Sequence, residues 1–187
     1  MGSKNEEFKP EAELKQYIDE NHNEADEKIG ITEGQIKEIP KDRKFYYPGI
    51  DSCLIITLFL EDGTRVACHL VMSGGQNIEY KPQDAFVKMQ ELAGDRTVKK
   101  IYIAAGTNEW SMDLKQEKIL DFDAMQTTEH KLRGLDFVAN TCQKKFQCDI
   151  KDIKINRKNQ KGDYYVDLSS DGKIVCSVEP AKLKSKL

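Results

Sequence analysis

The stretch SCLIITLFLEDGTRVACHLVM, residues 52–72, places two apolar segments rich in β-branched residues on either side of Glu61-Asp62-Gly63. This pattern predicts a β-hairpin. If the loop has three residues, with Gly63 in the left-handed conformation, Ile55 lies opposite His69 in the hairpin. A two-residue Asp-Gly turn would shift the register by one position and place Cys53 and His69 on opposite faces of the hairpin.

The three-residue loop gives the hairpin one fully apolar face and one mixed face. The apolar face, which we predict to be the core face, carries Leu54, Ile56, Leu58, Leu60, Val66, Cys68, Leu70 and Met72. The mixed face, which we expect to be a surface, carries Cys53, Ile55, Thr57, Phe59, Arg65, Ala67, His69 and Val71. Cys53 and His69 are diagonal neighbours in this register, about 7 to 8 Å apart, so their side chains can interact.

The remainder of the chain alternates between strand and helix patterns. We expect a strand over 29–39, a helix opened by Pro82 and ended by Gly94, a strand over 99–105, a helix over 132–146, and a hairpin of strands 164–168 and 173–178. A polar connection over 106–129 separates the first helix and its strand from the second helix. The order predicts an α/β sandwich with a mixed, largely antiparallel β-sheet, hairpins and two principal helices.

Composition predicts one globular domain without a charged binding surface. The chain has 187 residues, of which 39% are hydrophobic, enough for one moderate core. We assign residues 29–180 to this domain, residues 1–28 to an acidic, helical or flexible extension, and residues 181–187 to a basic tail. A net charge of -3 argues against a nucleic-acid or anionic-lipid partner. The longest apolar run, 54–60, is far shorter than the roughly 20 residues of a membrane span.

The five cysteines are an odd number at irregular spacing, which predicts free thiols in a reducing compartment. No CxxC or HxxxH spacing is present, so we expect no metal and no other cofactor. The N-terminus lacks the pattern of a secretion signal. We therefore expect a cytoplasmic location, in the producing cell or in a host cell that receives the chain; the final Ser-Lys-Leu matches a peroxisomal address if the host is eukaryotic.

Cys53 is the candidate nucleophile because it follows a turn-forming segment, 48–52, and begins a strand. A thiol attacks a carbonyl carbon as the thiolate, and we expect the His69 imidazole to take its proton and to lower its effective pKa. Backbone N–H groups at Ser52 and Cys53 are candidate donors to the developing oxyanion. Free cysteines are more often packing residues, and we interpret Cys68, Cys142 and Cys176 in that way.

Two segments resemble the chemoreceptor glutamine deamidase family of bacterial chemotaxis, whose structural relatives include the catalytic domain of the cytotoxic necrotizing factor toxins. The family's Gly-Leu-Gly-Ser-Cys, followed by a hairpin and a histidine, is similar to Gly49-Ile50-Asp51-Ser52-Cys53 with His69 on the second strand. The family's closing hairpin is similar to Gly162–Leu168 followed by Gly172-Lys173-Ile174-Val175. The similarity covers residues 29–178 in order of elements.

The resemblance implies a Cys53 nucleophile and a His69 base that hydrolyse the side-chain amide of an exposed glutamine in a protein substrate. It also implies that Ser52 and Tyr47 position the reacting groups. Tyr47 stands where the family has a threonine, so either Tyr47 or, as in the toxin relatives, a backbone carbonyl orients His69. Transglutamination and hydrolysis of a terminal Asn or Gln use the same chemistry. A non-catalytic adaptor of the same fold is the alternative, favoured by Tyr47 and by Asp51 in place of the family's glycine.

Overall fold

The computed structural model describes residues 28–71, 84–106 and 134–181. Its strands are β1 (Ile29–Gly30), β2 (Ile36–Ile39), β3 (Phe45–Ile50), β4 (Leu54–Leu60), β5 (Arg65–Leu70), β6 (Val98–Ala105), β7 (Ile153–Asn156), β8 (Gly162–Leu168) and β9 (Ile174–Glu179). Its helices are α1 (Ala85–Ala93) and α2 (Leu135–Phe146), with a short 3-10 turn at Ile150–Asp152. The predicted helix opening at Pro82 lies outside the described residues, as do nearly all of the N-terminal extension, the 106–129 connection and the basic tail.

The elements form three layers, which confirms the predicted sandwich with two principal helices. One sheet has four strands in the order β1-β3-β8-β9, and the other has five in the order β2-β5-β4-β6-β7. Neighbouring strands are antiparallel except in the pairs β1–β3 and β6–β7. Both helices pack on the outer face of the five-stranded sheet. No helix within the three described ranges combines the length and the apolarity needed to cross a membrane.

The β4–β5 hairpin has the predicted register, with Ile55 opposite His69. Its loop closes as expected, with Gly63 at a φ of 86° and the Leu60 amide donating to the Thr64 carbonyl over 2.9 Å. The expectation that the mixed face is a surface is wrong. Every residue of both strands is buried, because the four-stranded sheet covers the mixed face while the helices cover the apolar face.

The predicted single strand over 29–39 is also wrong, because a turn divides it into β1 and β2 in different sheets. The turn is closed by the Gln35 amide, which donates to the Thr32 carbonyl over 3.0 Å. Alternating isoleucines are compatible with one strand or with two short strands, since Ile31, Ile36 and Ile39 are still buried and Ile29 is partly buried. This turn carries Glu33, so the break between the two strands determines the position of that side chain.

Two strands were not predicted. β3 contains Pro48-Gly49, a dipeptide that normally signals a turn. Here the strand pairing with β8 is irregular between Tyr47 and Ile50, so the missing proline N–H disrupts no regular ladder position. The Gly49 amide donates instead to the Asp163 carboxylate over 2.7 Å. β7 is a four-residue strand, too short for its pattern to stand out from a loop.

Candidate active site

Three side chains from separate segments meet at the end of the hairpin farthest from its loop. Cys53 precedes β4, His69 lies near the end of β5, and Glu33 lies in the turn between β1 and β2. The Cys53 sulfur, a carboxylate oxygen of Glu33 and a ring nitrogen of His69 all lie within 4.8 Å of one another. The structure therefore brings the two predicted reactive residues together and adds a carboxylate that the sequence did not reveal.

Backbone contacts with the end of β6 fix the segment that carries Cys53. The Gly106 amide donates to the Cys53 carbonyl over 3.3 Å. A Cβ atom at Gly106 would lie only 2.1 Å from the carbonyl oxygen of Asp51. Only glycine permits this approach of two backbones, so the position of the thiol depends on Gly106.

The His69 ring is oriented by a backbone carbonyl. Its Nδ1 lies 2.8 Å from the carbonyl oxygen of Ile31. Because a carbonyl oxygen can only accept, Nδ1 carries the hydrogen, and in the neutral ring Nε2 holds the free electron pair. Nε2 is buried and has no hydrogen-bond partner among the described residues.

The turn that carries Glu33 is tied to the backbone of His69 on both sides. The Gly34 amide donates to the His69 carbonyl over 2.8 Å, and the His69 amide donates to the Gln35 carbonyl over 3.0 Å. These bonds set Glu33 beside the imidazole although the two residues are distant in sequence. Glu33 itself is exposed, whereas Cys53 and His69 are buried.

The electrostatic setting of the thiol differs from the sequence-based expectation of a lowered pKa. Burial, together with the Glu33 carboxylate, raises the pKa of the Cys53 thiol to about 12. The thiol donates a long hydrogen bond to Glu33, with 3.8 Å between sulfur and oxygen. Burial lowers the pKa of His69, although its bond to the Ile31 carbonyl and the charge of Glu33 oppose this. At neutral pH the pair is therefore a neutral thiol beside a neutral imidazole.

The two residues assigned a positioning role lie near the pair in different ways. Tyr47 is fully buried, and its ring meets the His69 ring edge-on, with 6.1 Å between centroids. Its hydroxyl donates to the Ile56 carbonyl over 3.1 Å and lies 2.7 Å from the Thr57 hydroxyl. Tyr47 therefore supports the imidazole by packing, while Ile31 supplies the hydrogen bond. Ser52 lies half-buried in the bend before Cys53.

Nothing in the sequence singles out Glu33 or the Ile31 carbonyl. Glu33 precedes Cys53 by 20 residues and lies in a polar Thr-Glu-Gly-Gln segment that resembles many exposed turns. A backbone carbonyl has no sequence signal, because every residue carries one. Glu33 and the Ile31 carbonyl reach His69 because the chain turns after β1 instead of continuing as one strand.

The other four thiols are not part of this cluster. Cys68 and Cys142 are fully buried in the core between the helices and the five-stranded sheet, and burial raises the pKa of each. Cys148 is buried at the end of α2, and Cys176 is half-buried on β9. The other two histidines, His22 and His130, lie outside the described residues.

The resemblance of residues 49–53 and of the closing hairpin to the chemoreceptor deamidases stays a prediction from the sequence. Comparison of the chain with protein-family models, with characterised proteins and with solved structures gives no match.

Proposed function

We propose that the chain is a cysteine-dependent amidohydrolase that converts the side-chain amide of a protein glutamine to a carboxylate with release of ammonia. The observation that carries the proposal is the approach of the Cys53 sulfur and a His69 ring nitrogen to within 4.8 Å. The Ile31 carbonyl supports the role of His69, because it leaves the electron pair of Nε2 available to accept the thiol proton. The five unpaired thiols fit a reducing cytoplasm, in which such a nucleophile stays reduced.

The reaction begins from the neutral pair. As the Cys53 sulfur bonds to the amide carbon, Nε2 of His69 takes the thiol proton and the carbonyl electrons move onto oxygen. The imidazolium then gives that proton to the leaving nitrogen, the carbon–nitrogen bond breaks, and ammonia leaves behind a thioester. Water attacks the thioester while His69 accepts a proton, and collapse of the adduct returns the thiol and releases the carboxylic acid.

The surrounding charges favour an amide substrate over its acid product. Glu33 and Asp51 both raise the pKa of the thiol through their negative charge, so both act on the reacting sulfur. A neutral carboxamide enters this acidic surrounding without repulsion. The carboxylate that forms there is repelled, which speeds the release of product.

The test is to incubate the full chain with candidate proteins that carry exposed glutamines and to follow ammonia and substrate mass. We expect ammonia release together with a gain of about one dalton per site, as amide-to-acid conversion requires. Cys53→Ser and His69→Gln should each lower the rate by at least about a hundredfold. Cys176→Ser, which removes a thiol outside the site, should leave it unchanged. Ammonia release that survives Cys53→Ser would overturn the proposal.

A non-catalytic protein-binding adaptor of the same fold is the second candidate. It is favoured by the 3% exposure of Cys53 and by the raised pKa of its thiol. The two candidates differ in thiol reactivity under iodoacetamide with a chelator present. Alkylation of Cys53 well ahead of Cys68 and Cys142 supports the hydrolase, whereas equally slow labelling of all three supports the adaptor.

A further inference from the structure

Glu33, Cys53 and His69 offer a donor set typical of a transition-metal site. Thiolate, imidazole and carboxylate are the three side-chain ligands that Zn²⁺ uses in proteins. In a tetrahedral zinc site with metal–ligand bonds of about 2.0 to 2.3 Å, two ligand atoms lie roughly 3.3 to 3.8 Å apart. The Cys53 sulfur and the nearer Glu33 oxygen are 3.8 Å apart, and no two of the three donor atoms are separated by more than 4.8 Å. A contraction of about one ångström would bring all three onto one ion.

The hydrogen bonding of His69 is also that of a metal ligand. A histidine that binds a metal usually donates its other ring N–H to a carbonyl or carboxylate, which fixes the tautomer and the ring plane. Here Nδ1 donates to the Ile31 carbonyl. Nε2, on a fully buried side chain, has no hydrogen-bond partner within the described part of the chain. A buried acceptor without a partner destabilises the folded protein, and a bound cation would satisfy it.

The charges of the three ligands match a divalent ion. A thiolate and a carboxylate carry two negative charges, and a neutral imidazole adds none, so a bound Zn²⁺ makes the site neutral. Neutrality suits a place where Cys53 and His69 are both buried, because an isolated charge there is costly. Mg²⁺ and Ca²⁺ prefer oxygen ligands throughout and do not suit this set.

We infer that Glu33, Cys53 and His69 bind one Zn²⁺ and that the bound ion blocks the Cys53 thiol. Binding forms one bond each from zinc to sulfur, nitrogen and oxygen, and the thiol proton passes to solvent. The fourth coordination position is left for water. That zinc inhibits hydrolysis rests on the proposed function, whereas zinc binding itself does not.

The first experiment measures metal binding by the full-length reduced protein. We expect one equivalent of Zn²⁺ in equilibrium dialysis, and with Co²⁺ as a probe a thiolate-to-metal charge-transfer band in the near ultraviolet. Cys53→Ser should abolish the band. Glu33→Gln removes one of the three ligands and should weaken affinity at least about tenfold, since loss of an outer-shell partner alone costs that much. Cys176→Ser is the matched control and should bind normally. Equal zinc affinity in wild type, Cys53→Ser and Glu33→Gln would overturn the inference.

The second experiment measures protection of the thiol and needs no enzymatic activity. Zn²⁺ should slow the alkylation of Cys53 by iodoacetamide at least tenfold, and a chelator should restore it. Unchanged alkylation of Cys53 at saturating zinc would contradict the inference. If zinc binds and protects the thiol but no protein glutamine is deamidated, the metal site stands and the proposed hydrolase fails. If ammonia release is seen and zinc does not bind, the hydrolase stands and the metal site fails.

Discussion

The two faces of the β4–β5 hairpin are equally buried but differ in chemistry. The face toward the helices presents only apolar side chains and the Cys68 thiol. The face toward the four-stranded sheet adds Thr57, Arg65 and His69, all of them buried. Apolar packing tolerates exchange of one hydrocarbon side chain for another of similar volume. Each buried polar group, in contrast, needs a particular partner at a particular distance.

The helix face contributes apolar packing, whereas the inter-sheet face carries the buried polar groups, among them the candidate base His69. On the inter-sheet face Thr57 meets Tyr47, His69 meets the Ile31 carbonyl, and Arg65 donates to backbone carbonyls. Most of these partners come from β3, from the segment that follows β1 and from the connection that precedes β3, and one acceptor of Arg65 lies in the hairpin loop. The helix face does not depend on the four-stranded sheet.

The strongest test of the apolar face is Leu58→Ala. Leu58 is fully buried between the helices and the five-stranded sheet, so we expect a loss of about 2 to 5 kcal/mol in the free energy of unfolding. Urea denaturation measures it. Leu58→Met keeps the volume and should cost less than about 1.5 kcal/mol. If Leu58→Met lowered the free energy of unfolding as much as Leu58→Ala does, packing on this face would depend on side-chain shape and not on volume.

On the polar face the largest stability effect should come from Arg65→Met. The guanidinium donates to the carbonyls of Lys41 over 2.9 Å and Gly63 over 3.2 Å, and also to that of Arg43. Leaving these acceptors without a donor should cost about 1 to 3 kcal/mol in urea denaturation. Arg157→Met, which breaks only an exposed pair with Asp136, is the control and should cost less than about 1 kcal/mol. Equal losses would remove the distinction between buried and exposed arginines.

A smaller effect is expected from the hydroxyl pair of Tyr47 and Thr57. Tyr47→Phe removes the partner of a buried hydroxyl and should cost about 1 kcal/mol. Combining it with Thr57→Val removes both hydroxyls, and the double variant should be no less stable than Tyr47→Phe alone. Thermal or urea unfolding of the four proteins measures this coupling. Additive losses would mean that the two hydroxyls act independently.

The smallest effect is a pH dependence that arises from His69. Its pKa is below the ordinary 6.5 because burial disfavours the imidazolium. Below about pH 6.5 the unfolded chain therefore binds a proton that the folded chain does not, so the free energy of unfolding falls as pH drops toward the folded-state pKa. Cys53, Glu33 and Tyr47 lie beside the ring, and the charge of Glu33 partly opposes the lowering of the His69 pKa. Urea midpoints with a chelator, from about pH 5 to pH 8, should show this decline in wild type but not in His69→Gln.

Much of this architecture was predictable from local pattern. Alternating apolar residues on either side of Glu61-Asp62-Gly63 specify a hairpin, and the loop length then sets its register. The spacing of apolar residues in 85–93 and 135–146 likewise specifies two helices with one buried face each. β3 was missed because Pro48-Gly49 has the same local signal in a strand bulge as in a turn.

That Cys53 and His69 face the same side of one hairpin follows from local properties, namely side-chain alternation and turn geometry, and is predictable from the residues of that segment. The burial of this side, the approach of Glu33 and the hydrogen bond of the imidazole to the Ile31 carbonyl depend on how the folded elements pack. Those contacts come from a separate turn and a second sheet. A local sequence pattern does not predict which distant segment packs on a strand, since that depends on how all the apolar faces are buried together.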